Sequence, residues 1–282
     1  MNETTPTKRI VSLDSQWFNG IQNCPRKLKY QLLDSLRPKH NPEPLDRGDV
    51  VHQIMDAYYT GRMQGLKHAE NLQQALIKGE LHAAKTDLDQ ESIRESIEAA
   101  KGSLNHHQSD GWIPLAVEQA FSYVFYDSPE LQIVSTGVID LIVDIPGVGP
   151  TVVDHKSSKR SSTPFPLSNQ FMNYCNGSGT TRAIVNKVGM QKTVPAEQKF
   201  GRVMLSYHQA QLDEFVRNTV FWVKFGLQCI DNDYFPMNLT ACDKYAGCIF
   251  VPICGSHPDT RDWKINISFI KGKQWDPYTK GK

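Results

Sequence analysis

The stretch from Gly137 to Lys156, G-V-I-D-L-I-V-D-I-P-G-V-G-P-T-V-V-D-H-K, leaves this chain few ways to fold. Val138, Ile139, Leu141, Ile142, Val143 and Ile145 make one apolar, mostly β-branched run, and Thr151, Val152 and Val153 make another. Pro146, Gly147, Gly149 and Pro150 lie between them. Branched side chains favour extended backbone and a Pro/Gly cluster favours a turn, so two strands joined as a hairpin are predicted. Asp140 falls within the first strand. Asp154 and Lys156 stand two apart at the end of the second, and the two-residue period of a strand projects them from one face. Two carboxylates and a lysine at a hairpin edge are costly to bury without partners. A divalent cation is one such partner, and oxygen ligands suit magnesium or manganese.

Upstream of the hairpin, the run from Ser15 to Leu36 reads as helix interrupted at Cys24-Pro25, because proline favours the first turn of a new helix. Arg26, Lys27, Lys29 and Arg37 make that region basic, either as a solvated face or as contacts to a phosphate backbone. Residues 38–46 read as a loop. Gly48 to Tyr59 reads as an amphipathic helix with Val51, Ile54, Met55 and Tyr58 at helical spacing. His52 on that helix is either a hydrogen-bonded structural residue or a ligand. Residues 66–109 predict two or more helices, with His106 and His107 at the surface. Val117 to Tyr126 predicts a strand rich in aromatic residues. Glu118 near its start reads, on the residues alone, as an exposed strand-edge charge.

Downstream, Ser157 to Thr163 reads as a polar, basic loop. Gln170 and Tyr174 are four apart, so on a helix they share a face. Thr181 to Val188 and Arg202 to Tyr207 predict strands around a Lys/Gln-rich loop from Gly189 to Gly201. Ala210 to Ile230 predicts a long helix with its core stripe at Leu212, Phe215, Val216, Val220, Val223 and Leu227, and with Phe221 and Trp222 in packing.

Six cysteines are present, and three of them, Cys242, Cys248 and Cys254, are spaced C-x5-C-x5-C. That spacing lacks the close pairs of common zinc modules. Three thiolates also fall one short of the four ligands of a tetrahedral zinc or iron–sulfur site. A metal site and a chance grouping of reduced cysteines both stay open on the residues alone. The net charge of +1 predicts no general attraction to nucleic acid, so any such binding must come from local patches. No apolar run approaches membrane-spanning length. The N-terminus M-N-E-T-T-P-T-K-R lacks the apolar core of a signal peptide. The expectation is a soluble protein of the cytoplasm, in a bacterial cell or an infected host cell. A disulfide framework is not expected there.

Taken in order, C-P at Cys24, G-x-x-x-H at Gly48–His52, G-x-I-D at Gly137–Asp140, D-x-K at Asp154–Lys156, Q-x-x-x-Y at Gln170–Tyr174 and the three late cysteines form a series. This series resembles the RecB/AddB-like branch of the PD-(D/E)XK nuclease superfamily and is similar to the CRISPR-associated RecB-like exonucleases. The resemblance implies an α/β fold with a restriction-endonuclease-like core: a central mixed β-sheet flanked by helices, with a helical insert and a C-terminal cysteine cluster. It implies one nuclease domain over residues 1–282. Within it lie N-terminal helices (12–60), the insert (61–115), the core (116–230), a cluster-binding segment (231–256) and a tail (257–282).

The resemblance further implies that His52, Asp140, Asp154 and the backbone carbonyl of His155 hold Mg²⁺ or Mn²⁺, with Glu118 close by. Lys156 then acts on the attacking water or the phosphate, while Gln170 and Tyr174 orient the lysine or the DNA. Cys24, Cys242, Cys248 and Cys254 are implied to hold a [4Fe–4S] cluster, or Zn²⁺ as the alternative. Cys175 and Cys229 are left as buried free thiols. The implied function is a metal-dependent DNA exonuclease of repair, recombination or phage DNA processing. The alternative is a DNA-end-binding or assembly module with little or no catalysis. No P-loop motif of a helicase occurs. DNA contacts through phosphates are expected. A recombination or replication protein partner and a homo-oligomer remain open, and no membrane role is expected.

Overall fold

The computed structural model describes residues 8–39, 43–158, 166–191, 193–243 and 247–277. Strand β1 (Arg9–Leu13) leads into helix α1 (Ser15–Asn23), which Asp14 caps by accepting the Trp17 amide at 2.9 Å. Pro25 opens the short α2 (Pro25–Leu28), which runs on through a π turn at Lys29–Leu33 to β2 (Leu36–Pro38). Three helices follow: α3 (Glu43–Met63), α4 (His68–Ala83) and α5 (Gln90–His106). Then come β3 (Ile113–Asp127), β4 (Leu131–Ile145), β5 (Gly149–Ser158), α6 (Asn169–Ser178), β6 (Arg182–Gly189), α7 (Ala196–Lys199) and β7 (Arg202–Ser206). The chain closes with α8 (Gln209–Asp231), α9 (Val251–Cys254), α10 (Arg261–Ser268) and β8 (Phe269–Lys271).

The predicted hairpin forms. Gly147 and Gly149 take left-handed backbone at φ 77° and 95°, and Val148 donates its amide back to Ile145 at 2.9 Å. This turn sets the antiparallel register of β4 and β5, with Ile145 opposite Gly149 and Leu141 opposite Val153. β5 runs parallel to β6, and β6 antiparallel to β7, so the sheet is mixed. Its strand order is β1-β4-β5-β6-β7, with β3 also on β4. The fold is the mixed α/β arrangement that the sequence led us to expect.

Two compact units share this chain. One comprises residues 42–121 and 138–209, and the other residues 1–41, 122–137 and 210–282. In the first, Val50, Val51, Ile54, Met55 and Tyr58 of α3, Ala75 of α4 and Ala100 of α5 share a core with Leu141, Val143, Val153 and Ile184 of the sheet. Each fully buried aliphatic of this kind contributes roughly 1.5–3 kcal/mol. In the second unit, β1 lies parallel to the first half of β4, and β2 pairs with β8. Tyr30, Leu36, Phe250, Ile253 and Phe269 form a small core there, against which Cys248 and Cys254 pack.

Four expectations need correction. Helix α3 begins at Glu43, inside the segment read as a loop, of which residues 40–42 lie outside the described set. His107 is half-buried rather than at the surface, because its Nε2 lies 2.6 Å from the Phe200 carbonyl. Phe221 is 67% exposed, on the outer face of α8 rather than in its packing. The Lys/Gln-rich loop carries the short α7. Of the polar loop at Ser157–Thr163, only Ser157 and Ser158 are described.

Candidate active site

β5 carries Asp154, His155 and Lys156, and the alternation of the strand sends Asp154 and Lys156 to the same side. Lys156 Nζ lies 2.7 Å from Asp154 Oδ2. α6 follows β5, and one turn of it presents Gln170 and Tyr174 together. The Gln170 amide ties the group. Its Oε1 accepts from Lys156 Nζ at 3.0 Å, and its Nε2 donates to Asp154 Oδ1 at 2.9 Å and to the Tyr174 hydroxyl at 2.9 Å.

Asp140 enters from β4. The hydrogen-bonded register ends at Leu141 and Val153, and extending it by one residue sets Asp140 opposite Asp154. Just beyond, the His155 amide donates to Asp140 Oδ2 at 2.9 Å instead of continuing the ladder. His52 comes from α3, its Nδ1 3.3 Å from the same Oδ2. The glycine of G-x-x-x-H has a physical use. A Cβ on Gly48 would sit 3.3 Å from Ser157 Oγ, so this turn of α3 lies tight on β5 and brings His52 to Asp140.

Asp140 and Asp154 are both 2% exposed, whereas the Lys156 side chain is 47% exposed. Burial raises the Asp154 carboxyl above its usual range. Lys156 opposes this, and the neighbouring Asp140 adds to it. Burial also lifts the Tyr174 phenol well above its ordinary value, reinforced by Asp154 and Asp140. Glu118 stands exposed on β3 with left-handed backbone at φ 51°, a conformation that costs a non-glycine residue about 1–3 kcal/mol. Its charge is among those that reach Tyr174.

Seven of the expected residues are therefore linked through contacts: His52, Asp140, Asp154, His155, Lys156, Gln170 and Tyr174. Sequence reading missed three residues behind them. Tyr59 stacks on the His155 ring with centroids 5.7 Å apart, Asn186 Nδ2 lies 2.8 Å from His155 Nδ1, and Arg202 Nε donates to Asn186 Oδ1 at 3.1 Å. The one available signal was an amide, Asn186, inside the apolar run of β6.

Among the described residues, no three His, Cys, Asp or Glu side chains are gathered closely enough to hold a metal ion by themselves. Magnesium, however, is commonly held by one or two carboxylates together with waters and substrate phosphates. Two buried carboxylates flanked by one lysine fit that demand.

In the other unit, Cys24 Sγ accepts the Asn238 amide at 3.5 Å, Cys242 Sγ lies 3.9 Å from the Asn238 carbonyl, and the Cys248 amide donates to the Cys242 carbonyl at 2.8 Å. Burial raises the Cys254 thiol, with Cys24 and Cys248 adding and Arg26 and Arg261 opposing. Burial likewise raises Cys242, with Cys248 and Cys24 next. The four cysteines separated in sequence are thus electrostatic neighbours. Cys175 and Cys229 are buried and free, as expected.

The family model of the PD-(D/E)XK nuclease superfamily matches residues 18–255. Among solved structures, the chain is similar to a candidate exonuclease from Eubacterium rectale, at 12% identity and a TM-score of 0.50, covering 82% of this chain and 86% of that one. It also matches the crystal structure of a protein named SSO0001, at 13% identity and a TM-score of 0.38, covering 90% of this chain and 89% of that one. No curated protein matches.

Proposed function

Because the chain belongs to the PD-(D/E)XK nuclease superfamily, we propose that it is a divalent-metal-dependent deoxyribonuclease, acting as an exonuclease, with its centre at Asp140, Asp154 and Lys156. The observation that carries the reading is the closed set of contacts among Asp154, Lys156 and Gln170, beside the His52–Asp140 pair. Asp140 and Asp154 would hold Mg²⁺ or Mn²⁺, with His52 and the His155 carbonyl as further donors, and the ion would polarise the scissile phosphate and activate water.

The chain's own groups do the rest. Lys156 is a half-exposed ammonium restrained by Asp154 and Gln170, so it is aimed before substrate arrives. It can orient the attacking water or offset charge developing on the phosphate. Gln170 spends one end on the lysine and the other on Asp154, which fixes both. Tyr174, kept in its phenol form by burial, supports that amide and can donate to a backbone oxygen of the strand. Phosphate contacts of this kind are tolerant of sequence and sensitive to salt. A role in repair, recombination or phage DNA processing follows as analogy with the family.

Cys24, Cys242, Cys248 and Cys254 supply the four thiols of a [4Fe–4S] cluster, with Zn²⁺ on the same ligands as the competing occupant. Their electrostatic proximity supports a shared site. The function is tested by incubating anaerobically purified protein with end-labelled single- and double-stranded DNA in Mg²⁺, Mn²⁺ or EDTA. Metal-dependent shortening from one labelled end is expected. DNA binding without cleavage under every condition would replace this reading with the end-binding module.

A further inference from the structure

We propose that Asn186 and Arg202 are positioning residues that hold the His155 ring in a single tautomer and thereby fix the backbone between Asp154 and Lys156. The inference rests on the site described under Proposed function. His155, Asn186 and Arg202 occupy one row across three strands: His155 is opposite Asn186 in β5 and β6, and Asn186 is opposite Arg202 in β6 and β7. His155 and Asn186 are each 1% exposed.

Donor arithmetic orients the row. A guanidinium has only donors, so the Asn186 atom that receives Arg202 Nε at 3.1 Å is the amide oxygen. The amide nitrogen of Asn186 must then face His155 Nδ1, 2.8 Å away, and donate to it. Nδ1 is therefore an acceptor, and the ring proton sits on Nε2. Reversing the amide would oppose donors to donors at the arginine.

Arg202 is itself held at both ends. Its Nη2 pairs with Asp110 Oδ2 at 2.8 Å, and its guanidinium lies 3.4 Å from the centroid of the Trp112 ring. Arg62 braces the same partners, reaching Asp110 Oδ1 and the Trp112 carbonyl, each at 2.7 Å. Tyr59 covers one face of the His155 ring at an interplanar angle of 16°. A ring so restrained fixes residue 155, whose amide serves Asp140 Oδ2 and whose carbonyl is a proposed metal donor. Groups that orient the ligands of a metal site in this way typically matter by about 10–100-fold in affinity or activity.

The test is run on the full-length protein. In ¹⁵N-histidine-labelled, metal-free protein, the His155 signals are assigned by their loss in His155→Gln. They are expected to show a bare Nδ1 and a protonated Nε2. Asn186→Asp keeps the partner of Arg202 but turns an acceptor toward Nδ1, so the ring should acquire an Nδ1–H. With that change, Mn²⁺ affinity measured by calorimetry and kcat on labelled DNA should each fall about tenfold or more, while KM for DNA stays within about twofold. Arg202→Met, which removes every donor facing the Asn186 oxygen and so frees the amide to turn, should move all three readouts in the same direction.

Wild-type His155 carrying its proton on Nδ1 would overturn the proposal. So would Asn186→Asp with an altered tautomer but wild-type Mn²⁺ affinity. Should Asn186→Asp fail to fold, the wild-type spectrum and Arg202→Met still decide. If the wild type cleaves nothing while the spectra and the Mn²⁺ affinities behave as expected, the nuclease reading fails and the positioning row stands.

Discussion

At the scale of single residues, the site is under electrostatic tension. Asp154 is buried beside a second buried carboxylate, Asp140, and its cationic partner is the half-exposed Lys156. Its carboxyl is raised above the ordinary 3.8, chiefly by burial. A folded-state pKa above the unfolded one means that the folded state binds the extra proton. The ionised group therefore destabilises the fold, increasingly as pH rises from 3.8 through the raised value. A neutral isostere removes that cost. Asp154→Asn should raise the melting temperature of the metal-free protein by roughly 2–4 °C at neutral pH while abolishing cleavage. Differential scanning calorimetry beside the cleavage assay checks both, and a lower melting temperature would count against the tension. His107 has the opposite sign. Burial, then the charge of Arg202, depresses its imidazole to about 4. Stability from the neutral ring is full above the unfolded pKa near 6.5 and is lost as pH falls toward 4. At this half-buried position the loss should be on the order of 1 kcal/mol after allowance for solvent screening. His107→Gln should flatten that part of a urea-denaturation profile taken between pH 4 and 7.

At the scale of elements, the site depends on how closely α3 lies on β5. A Cβ at Gly48 would meet Ser157 Oγ at 3.3 Å, so Gly48→Ala is a mild test and Gly48→Val a severe one. The valine should cost about 1–3 kcal/mol and push His52 from Asp140. Cleavage should fall by about tenfold or more, whereas the alanine should stay near wild type. Melting curves and single-turnover rates on both variants check the pair. The same elements show what was legible in the sequence. The hairpin could be read because branched residues and a Pro/Gly turn act locally. The α3 core stripe could be read because Val51, Ile54, Met55 and Tyr58 keep helical spacing. The β2–β8 pair could not, since three-residue strands at Leu36–Pro38 and Phe269–Lys271 meet only through distant chain contacts. His107 was misread as surface for the same reason, its partner being the Phe200 carbonyl 93 residues on. Asn186 and Arg202 were invisible as partners of His155, because nothing local marks an amide as facing a particular ring.

At the scale of the whole molecule, the residues proposed for two centres lie in two different compact units. His52, Asp140, Asp154, Lys156, Gln170 and Tyr174 belong to one, and Cys24, Cys242, Cys248 and Cys254 to the other. A group bound by those cysteines would close a loop from residue 24 to residue 254, a large constraint on the unfolded chain. Anaerobic protein should carry about four iron and four sulfide per chain with visible absorption. Cys24→Ser should lose both and destabilise its unit by several kcal/mol. Stoichiometric zinc without sulfide would assign the site to zinc instead. The central claim, that Lys156 beside Asp154 and Asp140 is the working centre of a nuclease, is tested most directly by one comparison. The single-turnover cleavage rate of Lys156→Ala is measured against wild type on end-labelled DNA in saturating Mn²⁺, with matched melting curves to show that both are folded. We predict a loss of about 100-fold or more in a folded variant. A rate within about twofold of wild type would contradict the account.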